Sequence, residues 1–206
     1  MEIIDLGRKN FWETYLLQKF YIERRKNNEI DDLLILVEHP PVITLGRNGK
    51  IENLLISKEK LKELNIEFYQ IERGGDITLH NYGQLVGYPI FYLKNGFWDM
   101  KKFINKIECL IIQVLKYFNI NAEKKEKFIG VFVEDRKICS IGMAIDKNVT
   151  FHGFALNVNN DLGYFQLINP CGIKGLKMTS IKEEIKKDIT VEEVKRELIK
   201  IFKNGF

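Results

Sequence analysis

Apolar and polar positions along the chain follow two different periods. Phe11, Tyr15, Leu16, Phe20 and Ile22 recur at roughly helical spacing, which predicts a helix from Phe11 to Asn27. From Trp98 to Phe118 the residues Phe103, Ile107, Leu110, Ile111, Val114, Leu115 and Phe118 predict a longer amphipathic helix packed on a sheet. A third helix starts at Thr190, whose hydroxyl can cap it while Glu193 reaches back; its apolar face is Val191, Val194, Leu198, Ile201 and Phe202. Ser57 is a candidate cap for a short helix through Leu64. Between these lie short runs of strand character: Ile3 to Leu6, Leu33 to Glu38, Val42 to Leu45, Glu67 to Ile71, Ile77 to His80 and Leu85 to Pro89. Three more lie at Phe128 to Val133, Lys137 to Met143 and Val149 to Leu156. Strands come in neighbouring groups more than in strict βαβ alternation. The expected fold class is therefore α+β, with a mixed, largely antiparallel sheet flanked by helices.

Punctuation agrees with these boundaries. The apolar run from Leu33 stops at His39-Pro40-Pro41, where proline cannot donate to a ladder. Gly46-Arg47-Asn48-Gly49 and Glu134-Asp135-Arg136 read as turns. The polar, lysine-rich stretch Lys174 to Lys187 is the one candidate linker, and the segment beyond it is too short to fold alone. With 206 residues and no internal repeat, residues 1–206 are expected to form a single domain.

Composition narrows the function classes. The net charge is +4, and most of that excess lies from Lys174 onward. It is spread too thinly for a nucleic-acid binder, and no stacking aromatics accompany it. No apolar run approaches a membrane span, and the N-terminus lacks a basic region before an apolar segment, so a cytoplasmic protein without membrane contact is expected. Cys109, Cys139 and Cys171 are odd in number and widely spaced, which fits neither a disulfide framework nor a zinc knuckle. Cys109, between Glu108 and Leu110 in a helix, and Cys139, in a strand, read as core or near-core residues. Cys171 lies in the loop Asn169-Pro170-Cys171-Gly172, where a nucleophile is often carried. Such a thiol needs a neighbouring cation or helix N-terminus to ionise near neutral pH.

Arg73-Gly74-Gly75-Asp76 separates two strands and reads either as a plain hairpin turn or as a backbone that approaches a ligand closely. His80 and His152 each close a strand near glycine, which suggests two walls of one pocket; a metal site lacks a third ligand at suitable spacing. Lys137 opens a strand, a position where lysine is usually solvated.

Taken together these blocks resemble the lipoyl(octanoyl) transferase family. The likeness is carried by Glu38-His39-Pro40-Pro41-Val42, Thr44-Leu45-Gly46-Arg47, Arg73-Gly74-Gly75-Asp76 and Gly83-Gln84-Leu85-Val86-Gly87-Tyr88-Pro89. It continues in order through Lys137 to Gly142, His152 to Asn159, Pro170-Cys171-Gly172-Ile173 and Met178-Thr179-Ser180. The resemblance implies the fold of biotin and lipoate protein ligases. It also implies transfer of an octanoyl group from acyl carrier protein to a lysine of lipoyl domains, with no cofactor and no metal. Those lipoyl domains belong to 2-oxoacid dehydrogenase complexes and to the glycine cleavage H protein. Cys171 matches the family's acyl-thioester cysteine, and Lys137 the lysine that favours its thiolate and shuttles a proton. Three segments match the acyl-binding site: Arg73, Gly74, Gly75, Asp76, Ile77, Thr78, Leu79 and His80; Ser140, Ile141 and Gly142; and His152, Gly153, Phe154 and Ala155. The chain departs from the family around His80, where Leu79 replaces an aromatic residue and Asn81-Tyr82 replaces Gly-Pro. Two other readings stay open at this point: an ATP-dependent lipoate- or biotin-type ligase of the same fold, and a non-catalytic acyl- or carrier-binding protein.

Overall fold

A computed structural model describes residues 1–206. In chain order the elements are β1 (Glu2–Arg8), α1 (Phe11–Lys26), β2 (Leu33–Glu38), β3 (Val42–Leu45), α2 (Lys58–Glu63), β4 (Glu67–Gln70), β5 (Ile77–His80) and β6 (Gln84–Ile90). They continue with α3 (Phe97–Tyr117), β7 (Glu123–Lys125), β8 (Phe128–Val133), β9 (Arg136–Asp146), β10 (Val149–Asn157), β11 (Lys177–Met178), α4 (Ile181–Ile185) and α5 (Val191–Gly205).

The larger sheet runs β1-β2-β6-β10-β9-β8-β7, with β11 added beside the start of β9. Only β1 with β2 and β11 with β9 pair in parallel there; the other neighbours are antiparallel. A second sheet has the order β4-β3-β5. The observed fold is thus the expected mixed, largely antiparallel sheet flanked by helices.

Strand β2 shows why its sequence is a continuous apolar run. Leu34 and Leu36 face one core, built with Phe103, Ile107 and Ile111 of α3 and Leu198 and Phe202 of α5. Leu33, Ile35 and Val37 face the other core, under Ile22 of α1. A strand buried on both faces cannot alternate apolar with polar residues. Helix α5 carries the predicted capping box, with the Thr190 hydroxyl accepting from the Glu193 amide and the Glu193 carboxylate accepting from the Thr190 amide.

Two expectations need correction. Lys174 to Lys187 is not a linker: Lys177 and Met178 pair with Arg136 and Lys137, Ser180 caps α4, and Ile181 is fully buried in the main core. Cys109 is not a core residue but exposed, with the Lys124 ammonium donating to its sulfur at 3.6 Å. A helix lying on a sheet buries one face only, and Ile107, Leu110 and Ile111 occupy it. Cys139, by contrast, is buried as expected. No helix is long and apolar enough to cross a membrane.

Candidate active site

Cys171 sits in a single 3-10 turn, Pro170–Gly172, at φ 58° and ψ 17°. That left-handed conformation is unusual for a residue with a Cβ. Pro170 is buried beneath the turn and Gly172 continues it at φ 74°, which leaves Cys171 half-buried. Opposite it, Lys137 is 3% exposed, and its ammonium donates a hydrogen bond to the Cys171 sulfur at 3.1 Å.

The lysine reaches the sulfur because the sheet makes room for it. Gly130 of β8 stands at φ 127°, and a Cβ there would lie 2.5 Å from the Lys137 Cε. The Lys137 carbonyl accepts from the Thr179 amide at 3.0 Å, and the Lys137 ammonium lies 5.4 Å from the centre of the Phe132 ring. A strand-opening lysine is therefore drawn inward by its surroundings.

Cys171 and Lys137 border a cavity of about 330 Å³. Every residue assigned above to the acyl-binding segments lines it except Leu79. Thr78 and His80 face the cavity, whereas Leu79 belongs to the core cluster of Ile43, Leu61 and Phe165; Ile77 shares that cluster and also reaches the cavity wall. Leu79, expected in the acyl-binding segment, therefore does not line the cavity. The departures from the family around His80 also fall outside the cavity wall. Asn81 donates to the Asp161 carbonyl at 2.9 Å, and exposed Tyr82 lies under the Arg8 guanidinium.

The individual side chains divide into those that build the wall and those left free to act. Arg73 is buried and bonds the Thr44 carbonyl of β3 at 2.6 Å, the Thr44 hydroxyl at 3.0 and 3.1 Å and the neighbouring Gly74 carbonyl at 3.1 Å. Burial pulls its guanidinium down to about 10, with Cys171 and Asp76 opposing that shift. Asp76 turns its carboxylate toward the Ile77 amide at 2.7 Å and the Asn53 side chain at 3.0 Å. Gly153 permits close packing of β10 on β6, because a Cβ there would lie 2.0 Å from the Gly87 carbonyl oxygen. Gly142 packs in the same way against the Gly74 carbonyl, at 2.8 Å. Thr78 and Ser140 bring hydroxyls to the same wall.

Both predicted histidines line the cavity, and burial keeps each below the ordinary imidazole range. His80 is pulled down to about 3. Its ring is fixed by Gln84, a residue that belongs to the family blocks but not to the acyl-binding segments. The Thr179 carbonyl accepts from Asn157 at 2.9 Å, Asn157 accepts from Gln84 at 2.8 Å, and the Gln84 carbonyl therefore faces the His80 Nδ1 at 2.7 Å. This chain makes Nδ1 the protonated nitrogen and leaves Nε2 as an acceptor. His152 stands at φ 53°, its amide bonded to Gln18 and its Nε2 3.7 Å from the Glu72 carboxylate. Glu72 also accepts from Tyr15 at 2.8 Å and from Lys19, and its contacts with His152 and Lys19 hold it well below the usual carboxylate range. The third histidine, His39, has no predicted role in the site: buried, it bridges the Lys9 carbonyl and the Tyr88 hydroxyl behind the wall. No three His, Cys, Asp or Glu side chains gather where they could hold a metal.

A buried lysine paired with a cysteine at the edge of a largely apolar cavity suits acyl chemistry, and comparison with known proteins gives the same answer. The family model described as the lipoyl protein ligase A/B catalytic domain matches residues 10–203. The chain belongs to that family. Within it, an octanoyltransferase from Dictyoglomus thermophilum is 48% identical over 197 residues, covering 95% of this chain and 83% of the relative. An octanoyltransferase from Christiangramia forsetii is 43% identical over 223 residues, covering 100% of this chain and 95% of the relative. The ligase fold is shared by a bipartite lipoate protein ligase of Thermoplasma acidophilum, studied with its E2 lipoyl domain. It superposes with a TM-score of 0.76 at 14% identity, over 99% of this chain and 82% of that one.

Proposed function

We propose that this member of the lipoyl protein ligase A/B family is an octanoyltransferase that carries its acyl group on Cys171. It takes the octanoyl group from the thioester of an acyl carrier protein and passes it to a lysine of a lipoyl domain. The acceptors are those of 2-oxoacid dehydrogenase complexes and the glycine cleavage H protein. Octanoyl transfer is the activity named for its near full-length relatives. The observation that carries the cysteine route is the 3.1 Å contact between Lys137 and Cys171 at the rim of the cavity.

In the first half-reaction the Cys171 thiolate, faced by the Lys137 ammonium, attacks the carbonyl carbon of the carrier thioester. The new C–S bond forms as the carrier's C–S bond breaks, and the carrier thiolate leaves with the proton of the Lys137 ammonium, so that Lys137 is neutral once Cys171 is acylated. The seven carbons beyond the carbonyl enter the cavity, and at about 0.8 kcal/mol per buried CH₂ they contribute on the order of 5 kcal/mol before ordering costs. In the second half-reaction a neutral lysine amine of the acceptor attacks the acyl-cysteine. An amide C–N bond replaces the C–S bond, Cys171 regains its thiolate, and Lys137 is placed to accept the amine's surplus proton. A thioester is already activated, so neither step consumes ATP.

Intact mass measurement after incubation with octanoyl carrier protein tests the proposal. One octanoyl adduct without ATP is expected, and it should vanish in Cys171→Ser. Cys139→Ser and Cys109→Ser should keep it, since burial pushes the Cys139 thiol up to about 12 and Cys109 lies on the exposed face of α3. An adduct that persists in Cys171→Ser, or that needs ATP, overturns the cysteine route.

A further inference from the structure

Asn53 closes a short 3-10 turn, Ile51–Asn53, well outside the segments assigned to the site. Its backbone carbonyl accepts from the Asn169 amide at 2.8 Å, and its side-chain oxygen from the Asn169 side chain at 3.3 Å. Its side-chain nitrogen donates to the Asp76 carboxylate at 3.0 Å. Because a carboxylate can only accept, Asp76 fixes which end of the Asn53 amide is nitrogen. Next to it the Leu55 amide bonds the Leu167 carbonyl at 2.9 Å, and Leu54 bridges Ile168. Residues 53–55 therefore run beside 167–169 as a short ladder that leads into the Cys171 turn. Asn53 is the member of that ladder that reaches across to the Arg73–Asp76 turn.

The nucleophile needs such a tie. Cys171 holds a left-handed conformation that residues with a Cβ disfavour, and a Cβ on Gly172 would lie 2.7 Å from the Asp76 carboxylate oxygen. The two turns are thus packed against one another with no spare room, and a small rotation of the Cys171 turn would carry the sulfur away from Lys137.

We propose that Asn53 is a positioning residue: it clamps the turn bearing Cys171 to the turn at Asp76 and so holds the sulfur in register with Lys137 and the acyl cavity. The role rests on Cys171 being the nucleophile. As long as position 76 is a carboxylate, position 53 needs an amide, because its side chain then has to donate to Asp76 and accept from Asn169. The substitution Asn53→Asp would place a second carboxylate against Asp76, whereas exchanging both partners rebuilds the bond with donor and acceptor reversed.

The test compares Asn53→Ala, Asn53→Asp and the double variant Asn53→Asp with Asp76→Asn in a Cys109→Ser background, with folding checked by thermal melting. Alkylation of Cys171 by iodoacetamide is followed by peptide mass at pH 7 and pH 10. The ratio of the two rates reports how far Lys137 favours the thiolate and cancels differences in access. In Asn53→Ala the ratio should fall, and kcat for octanoyl transfer should drop about tenfold or more while KM for the octanoyl carrier stays within about twofold. Asn53→Asp should be at least as impaired, and the double variant should recover most of the alkylation ratio. A wild-type ratio and kcat in Asn53→Ala overturn the proposal, as does a folded double variant no better than Asn53→Asp. Alkylation needs no acyl substrate. If the wild-type chain takes up no octanoyl group, the functional reading fails while the clamp is still decided.

Discussion

Acidification from pH 7 to pH 5 should destabilise the protein through His39 and His80, two buried histidines at and behind the cavity wall. Burial pulls His39 down to about 4, and His80 to about 3 with the neighbouring His39 as the next cause. Desolvation is the reason: the His39 ring lies away from water between the Lys9 carbonyl, 2.7 Å from Nδ1, and the Tyr88 hydroxyl, 2.8 Å from Nε2, and the bond to Lys9 only partly offsets the cost of charging a ring buried there. In the unfolded chain both rings titrate near ~6.5. Below that value the unfolded chain takes up protons that the native protein refuses until about pH 4 and pH 3. The stabilisation is therefore complete above about pH 6.5 and is lost as the pH falls. Between about pH 7 and 5 each ring accounts for about 2 kcal/mol, roughly 4 kcal/mol together, a large share of a typical total stability. His152 shifts in the same direction, and Glu72, held well below its ordinary range, adds its loss only at lower pH. Urea unfolding followed by circular dichroism at pH 7, 6 and 5 measures the effect. His39→Gln, which removes one titrating ring, should make the drop smaller by about 2 kcal/mol. A wild-type stability at pH 5 within about 1 kcal/mol of that at pH 7 would refute the reasoning, as would a His39→Gln protein that keeps the full drop.

Lys137→Ala should slow both half-reactions in single-turnover assays and lower the ratio of Cys171 alkylation rates at pH 7 and pH 10, whereas an alkylation profile that overlays the wild type would remove Lys137 from the mechanism. Lys137→Arg should keep much of the thiolate but transfer poorly, because a guanidinium does not deprotonate and its fork has to fit beside Gly130. Gly130→Ala should displace the lysine, since the new Cβ would lie 2.5 Å from both the Lys137 Cε and the Cys139 carbonyl oxygen at a φ of 127°. It should lower octanoyl transfer and cost about 1–3 kcal/mol of stability; a folded variant with an unchanged transfer rate would show that the lysine position is not set by that contact.

The pattern of residues along the chain determined which segments are helices and which are strands, because those depend on side-chain spacing within a few positions. Helices α1, α3 and α5 and most strands lie within one or two residues of where apolar periodicity and caps place them. Strands β7 and β11 and helix α4 carry no readable period: they are two to five residues long and rich in charged residues, and β11 forms only because β9 presents Arg136 and Lys137 to it. The site divides in the same way. Family resemblance picked out Cys171 and Lys137, but from its immediate neighbours Lys137 reads as a solvated strand end. Only the long-range arrangement removes that reading: β8 presents Gly130, β11 ties down the Lys137 backbone, and the Cys171 turn arrives from 34 residues away. Facing was likewise a tertiary decision. Within β5 the pairing with β3 puts Thr78 and His80 on the cavity and Leu79 on the opposite core, while packing of α3 on the sheet leaves Cys109 outside. Asn53 and His39 carry no local signal, since hydrogen-bonded bridging between loops and a buried imidazole exist only once distant segments meet. Periodicity is a property of consecutive residues and survives in one dimension; burial, proximity and the charge states they impose depend on which faces are brought together.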